Sequence, residues 1–336
     1  HQPAGSIGVH GPLPFARPAL GCPVSRRATV VGVGLIGGSI GMALRAQGWH
    51  VSGVEVDEDR LAAAVDIGAV DTVGWDAEAE VSFVATPVGQ IPEMVVEALA
   101  VAPGGVVTDV GGVKAPVVEA VSDPRFVGGH PMAGSEKAGV TAADPFLFQN
   151  AIYILVPDEK VPTDRYEALV DLLRKVGARV MELQVEAHDQ AVAAISPLPQ
   201  VMATSLVEMV GRLNERHDHF LPLAAGGFRD LTRIASSPFA MWEDIFASNG
   251  DEIRGMIDRY IAVLEDVKGR LEEQSLGADF DFANKIRGAM PRDSKGFIHV
   301  LHEVLVLAED RPGVIAEIGL ALGEQGVNIN DIEVMK

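Results

Sequence analysis

The chain has 336 residues, 48% hydrophobic and 22% charged, which gives enough material for two or three domains with real cores and excludes a disordered protein. A formal net charge of −20 repels nucleic-acid phosphates and anionic lipid, so neither is an expected partner, and an anionic substrate would need individually placed arginines. The single cysteine, Cys22, excludes an internal disulfide and fits a reducing cytosol, and no apolar run is long enough to span a membrane.

Residues 1–27 are rich in Pro and Gly, carry Arg17, Arg26 and Arg27 but no acid, and lack the apolar core of a signal peptide; they are expected to form a flexible extension. From 28 to 184, β-branched runs at 29–33, 51–54, 81–85, 106–109, 126–128, 152–156 and 179–182 alternate with helical spacing at 36–47, 91–100 and 163–175. That rhythm predicts an α/β fold, a doubly wound, mostly parallel sheet of the Rossmann type.

Gly32-x-Gly34-x-x-Gly37 follows the first strand and opens the first helix with Leu35 and Ile36. The first glycine permits a tight turn, the second lets backbone approach a pyrophosphate, and the third lets helix and strand pack closely. Glu55 ends the second strand, where a carboxylate accepts hydrogen bonds from the ribose hydroxyls of NAD. No arginine or lysine adjoins Glu55 in sequence, Arg60 being the nearest, which favours NAD over NADP. Thr86, Pro87 and Asp109 follow or end later strands, on the edge where such sheets bind ligands, and are expected beside the cofactor. His130 comes just after a short apolar strand and is a natural proton acceptor near neutral pH.

Residues 185–290 change character. Ala-, Leu- and Met-rich helical patterns broken by Pro197, Pro199, Pro222, Gly226-Gly227 and Pro238 predict an all-helical substrate and dimerisation domain, with 275–296 read as a linker. Residues 297–336 return to strand (299–307), loop, helix (314–325) and strand (327–334), a βαβ fragment too small to bury a core alone.

Four motifs in order carry a family resemblance: Val33-Gly34-Leu35-Ile36-Gly37-Gly38-Ser39, then Gly128-Gly129-His130-Pro131-Met132-Ala133-Gly134-Ser135-Glu136-Lys137, the His188-Asp189 pair, and Gly226-Gly227-Phe228-Arg229-Asp230-Leu231-Thr232-Arg233. Together they resemble the prephenate/arogenate dehydrogenases of tyrosine biosynthesis, over about residues 28–290. The resemblance implies NAD-dependent oxidative decarboxylation of prephenate, with His130 accepting the ring-hydroxyl proton and Arg233 binding a substrate carboxylate. Ser135, Ser196 and Gln200 are expected near the substrate; Glu136 is expected there as a residue that orders the loop or pairs with an arginine, and His188 either approaches the site from the domain junction or serves as a cap or core residue. The resemblance also implies a homodimer built through the helical domain. Two departures stand out. Many relatives have Ser where Gly112 stands, and many read Ser-His-Leu-Pro-His where this chain has Ser196-Pro197-Leu198-Pro199-Gln200. These leave prephenate against arogenate open.

The C-terminal segment is similar to the start of an ACT domain, the small ligand-sensing module of amino-acid enzymes. That likeness implies tyrosine as an effector, with Asp310 and Asn328 near it. Two other readings fit less well. A β-hydroxyacid-type dehydrogenase needs a lysine in the helical domain, yet none occurs between Lys175 and Lys268. A non-enzymatic NAD or amino-acid sensor has no use for His130 and Arg233 together. The His217-Asp-His219 and His299-x-x-His302 spacings lack a third convergent ligand, so no metal is expected.

Overall fold

The computed structural model describes residues 26–134, 139–271, 275–290, 306, 311 and 313–324. Short runs that are apolar on both faces form strands, because only a sheet covered on both sides can bury them. β1 (Arg27–Val31) passes through the glycine turn into α1 (Leu35–Ala46); β2 (His50–Val54), α2 (Glu58–Asp66) and the short β3 (Thr72–Val73) follow. Next come β4 (Val81–Val84), α3 (Ile91–Val101), β5 (Val106–Asp109), α4 (Ala115–Ala120), β6 (Phe126–Pro131), β7 (Ile152–Pro157), α5 (Thr163–Lys175) and β8 (Arg179–Glu182).

The strands lie in the order β3-β2-β1-β4-β5-β6-β7-β8. Every neighbouring pair is parallel except β6 with β7. The chain steps outward from β1 to β3 and then crosses back to β4, so the sheet reverses direction between β1 and β4. Ligands of such sheets bind in the crevice outside the carboxyl ends at this reversal. One face of the sheet packs Ile40, Leu44, Phe148, Tyr153 and Leu172; the other packs Ile91, Val95, Val117 and Phe126.

Beyond β8 the chain is helical: α6 (Val185–Ile195), α7 (Pro197–Asn214), α8 (Gly226–Thr232), α9 (Glu243–Ser248), α10 (Gly250–Arg270) and α11 (Gly277–Ala289), with α12 (Val314–Glu324) further on. α6 packs against α4, α7 and α10, and α9 packs against the 3-10 turn Val88–Gln90 after β4. The helical part therefore meets the sheet part beside the carboxyl ends of β4 and β5. Among its described residues few apolar side chains are buried, Val192, Ala193, Ala203 and Ile253 being the main ones.

Four elements depart from the sequence expectations, one of them the six-residue α4, for which no helix was expected. α2 forms because the Asp57 carboxylate accepts the Arg60 N–H at 2.9 Å, an N-cap that its sequence did not flag. β3 is two exposed residues, too short to show a pattern. The expected linker at 275–296 contains α11, a helix with no buried residue. The expected helix at 314–325 is α12, whereas the strands at 299–307 (apart from Val306) and 327–334, Asp310 and Asn328 lie outside the described residues. Among the described residues no helix is long and apolar enough to cross a membrane, and no group of three acids, histidines or cysteines stands where it would hold a metal.

Candidate active site

The glycine turn divides its work among its residues. Gly32 has φ +84°, a left-handed conformation, and its Cβ would lie 2.6 Å from the Ala85 carbonyl oxygen. A Cβ on Gly37 would fall 1.9 Å from the Gly32 oxygen, so α1 can approach β1 only as glycine there. Gly34 is different: its Cβ would meet nothing within 4 Å. It caps α1 without any side-chain hydrogen bond, so the helix presents its first N–H groups, with half-buried Leu35 and Ile36, to open space. That is a cradle for an anion such as a pyrophosphate. Thr86 lies across the turn with a buried hydroxyl that has no partner among the described residues, and Pro87 beside it is exposed.

At the end of β2 the Glu55 carboxylate accepts N–H groups from Val33 at 3.2 Å, Val56 at 3.0 Å and Asp57 at 3.2 Å. The expectation that no cation stands beside it is corrected here. Arg60, one turn into α2, folds back to 3.2 Å from Glu55 and 3.5 Å from Asp57. It is thereby matched to two carboxylates.

β6 runs three residues beyond the expected end, so His130 sits within the strand, opposite Ile154 of β7. Its Nδ1 lies 2.9 Å from Nε2 of His188, whose Nδ1 lies 2.6 Å from the Asp189 carboxylate. The other edge of the ring adjoins Gly112, where an added Cβ would stand 3.8 Å from both Cε1 and Nε2. Burial pushes the His130 pKa down to about 3, the Lys114 cation and His188 add to that, and Asp189 opposes it. The imidazole is therefore neutral, as a proton acceptor must be.

Two expected site residues are bonded within the protein. Asp109 is fully buried, and its carboxylate accepts the Gly111 N–H at 2.9 Å, the Gly129 N–H at 3.0 Å and the Lys114 ammonium. With those bonds made inside the protein, its carboxylate braces the strand carrying His130. His188 is likewise fully buried, and both its ring nitrogens are engaged by protein, one of them by His130.

Of the remaining predicted residues, Ser196 is half-buried at the α6–α7 junction, its carbonyl accepting the Gln200 N–H at 3.3 Å. Gln200 is buried; its amide donates to Thr204 at 3.3 Å, while its Oε1 has no partner among the described residues. Arg233 is exposed on the 3-10 turn Arg233–Ser236, which packs against α7. Ser135 and Glu136 lie outside the described residues.

Sequence reasoning passed over Lys114 and Asp189 as site residues. Lys114 carried a signal, since it is the only basic residue between Arg60 and Arg125. It is fully buried, its ammonium also donating to the Gly129 carbonyl at 2.8 Å, and desolvation lowers its pKa against the pull of Asp109. Asp189 accepts the backbone N–H groups of Lys114 and Ala115, both at 2.8 Å. Burial disfavours its charge, but His188 and those two N–H groups outweigh this and hold its pKa below the ordinary value.

Comparison with known proteins gives consistent results. Residues 40–182 match the family model described as prephenate dehydrogenase, nucleotide-binding domain; 184–281 match the prephenate dehydrogenase dimerization domain, and 302–335 an ACT domain. The prephenate dehydrogenase of Bacillus subtilis (strain 168) is 36% identical over 327 residues, covering 91% of this chain and 87% of that protein. The cyclohexadienyl dehydrogenase of Zymomonas mobilis is 31% identical over 80% of this chain and 98% of its own. Among solved structures, prephenate dehydrogenase from A. aeolicus in complex with hydroxyphenyl propionate and NAD+ superposes with a TM-score of 0.71, at 28% identity over 79% of this chain and 97% of that one. Synechocystis arogenate dehydrogenase gives 0.69, also at 28%, over 78% and 98%.

Proposed function

The chain belongs to the prephenate dehydrogenase family, an NAD-dependent group of oxidoreductases, and from that premise we propose that it oxidatively decarboxylates prephenate to 4-hydroxyphenylpyruvate in tyrosine biosynthesis. The observation that carries this reading is the neutral His130, whose Nε2 edge opens beside Gly112. The residues present fit a dinucleotide: open space at Gly34, uncapped N–H groups of α1, the buried Thr86 hydroxyl and the Glu55 carboxylate lie around one crevice. When bound, NAD+ supplies the hydride acceptor.

In this reading His130 Nε2 takes the proton of the ring hydroxyl as hydride leaves the same carbon, and loss of CO2 then makes the ring aromatic. Arg233 binds a substrate carboxylate, since a guanidinium can pair with it through two hydrogen bonds. The exposed apolar faces of the helical part support a homodimer. Arogenate is the second reading. The unpartnered Gln200 Oε1, standing where many relatives carry histidine, would accept a hydrogen bond from the ammonium of an arogenate side chain.

Production of NADH or NADPH, followed by absorbance with prephenate or arogenate and with NAD+ or NADP+, tests both readings. Prephenate with NAD+ should give the highest kcat/KM. His130→Asn should lower kcat by roughly 100-fold or more while leaving the Kd for NADH unchanged. Normal turnover by that variant would overturn the assignment.

A further inference from the structure

Beyond the base itself, we propose that His188 and Asp189 are positioning residues that hold His130 as the Nδ1–H tautomer, leaving the Nε2 lone pair to face the substrate. This rests on the reading of His130 as the base. The donors and acceptors form one chain of bonds. The Asp189 carboxylate only accepts: it takes the N–H groups of Lys114 and Ala115 and lies 2.6 Å from Nδ1 of His188. His188 must therefore carry a proton on Nδ1.

A neutral His188 then has its lone pair on Nε2, 2.9 Å from Nδ1 of His130, so His130 must donate there. A neutral His130 with its proton on Nδ1 has its lone pair on Nε2, the edge beside Gly112. The opposite order of donors would protonate Nε2 and block it. The charged groups around the pair are Lys114 and Asp109 of the sheet part and Asp189 of α6.

The same carboxylate also joins the two halves of the molecule. It binds the first N–H groups of α4 from its place on α6, and the Asp189 carbonyl accepts the Asn249 amide at 3.1 Å, just ahead of α10. The orientation of the base is thus fixed by the junction between sheet and helices. When His130 takes a proton, the positive charge forms at one end of a bond chain whose other end is anionic. This favours proton uptake without any change of hydrogen-bond partners.

Long-range 15N–1H NMR of histidine-labelled protein reads the tautomer directly, with His130→Asn used to assign the His130 signals. Wild type should show His130 with its proton on Nδ1. His188→Gln keeps an acceptor in reach and should retain that tautomer with kcat within about tenfold of wild type, whereas His188→Leu should lose the tautomer and about 100-fold in kcat with an unchanged Kd for NADH. A proton on Nε2 in wild type would overturn the proposal even if neither variant folds, and so would His188→Leu keeping both tautomer and turnover. An active His130→Asn would instead defeat the reading of His130 as base, so the two failures are distinguishable.

Discussion

At the scale of single residues, the environment of His130 sets how the enzyme should respond to pH. Burial in the cleft lowers its pKa to about 3, with Lys114 and His188 in the same direction and Asp189 against. A general base works unprotonated, so a depressed pKa extends activity toward acid. The acid limb of a kcat/KM profile, which reports the free enzyme, should therefore fall well below the ordinary histidine value of about 6.5. Activity lost through a single ionisation at or above pH 6.5 would contradict this. The residues supporting His130 were the hardest to find from sequence. Asp189 acts through Lys114 and Ala115, residues more than seventy positions away, and nothing local to it announces that bond. Lys114 and Asp109 neutralise each other out of sight of solvent, so the strand-end position that pointed Asp109 at a cofactor described its backbone and not its carboxylate.

At the scale of elements, the glycine turn separates packing from binding, and two substitutions distinguish them. Gly37→Ala forces a Cβ against the Gly32 carbonyl, so it should lower both Tm and NADH affinity. Gly34→Ala meets open space, so Tm should stay within a few degrees while the Kd for NADH rises about tenfold or more, because only a bound phosphate would feel the methyl. Fluorescence titration beside thermal melting checks both, and an unchanged Kd in Gly34→Ala would remove the phosphate from this turn. The strands were legible because β1, β4 and β5 are buried on both faces and read as short Val- and Thr-rich runs. α1, α3 and α5 were legible from their periodic apolar faces. α4 was not: six residues long, it begins with N–H groups satisfied by Asp189 from another part of the chain. α11 was hidden for a related reason, since none of its residues is buried within this chain and its flanking Gly and Pro read as a linker.

At the scale of the whole molecule, the sheet part has two well-filled cores, while the helical part leaves large apolar side chains in solvent. Ile261 and Leu264 on α10 and Phe280, Phe282 and Ile286 on α11 are all exposed. Apolar area of that kind is unusual on a monomer and points to a second surface covering it. A second copy fits best, because residues 184–281 match a dimerization domain. In a two-fold interface each residue occurs twice, so one buried Phe or Ile lost from each copy removes about 3–6 kcal/mol in all. Phe280→Glu or Ile261→Glu should then weaken association by roughly 100-fold or more, and introducing charge adds to the effect. Sedimentation velocity should show a dimer for wild type and a shift toward monomer at micromolar concentration for either variant. Because α10 packs on α6, and α6 carries His188 and Asp189, the monomer should also lose turnover more steeply than NADH affinity. A variant that sediments as a monomer yet keeps full kcat would show that the junction around His130 is stable without the second copy.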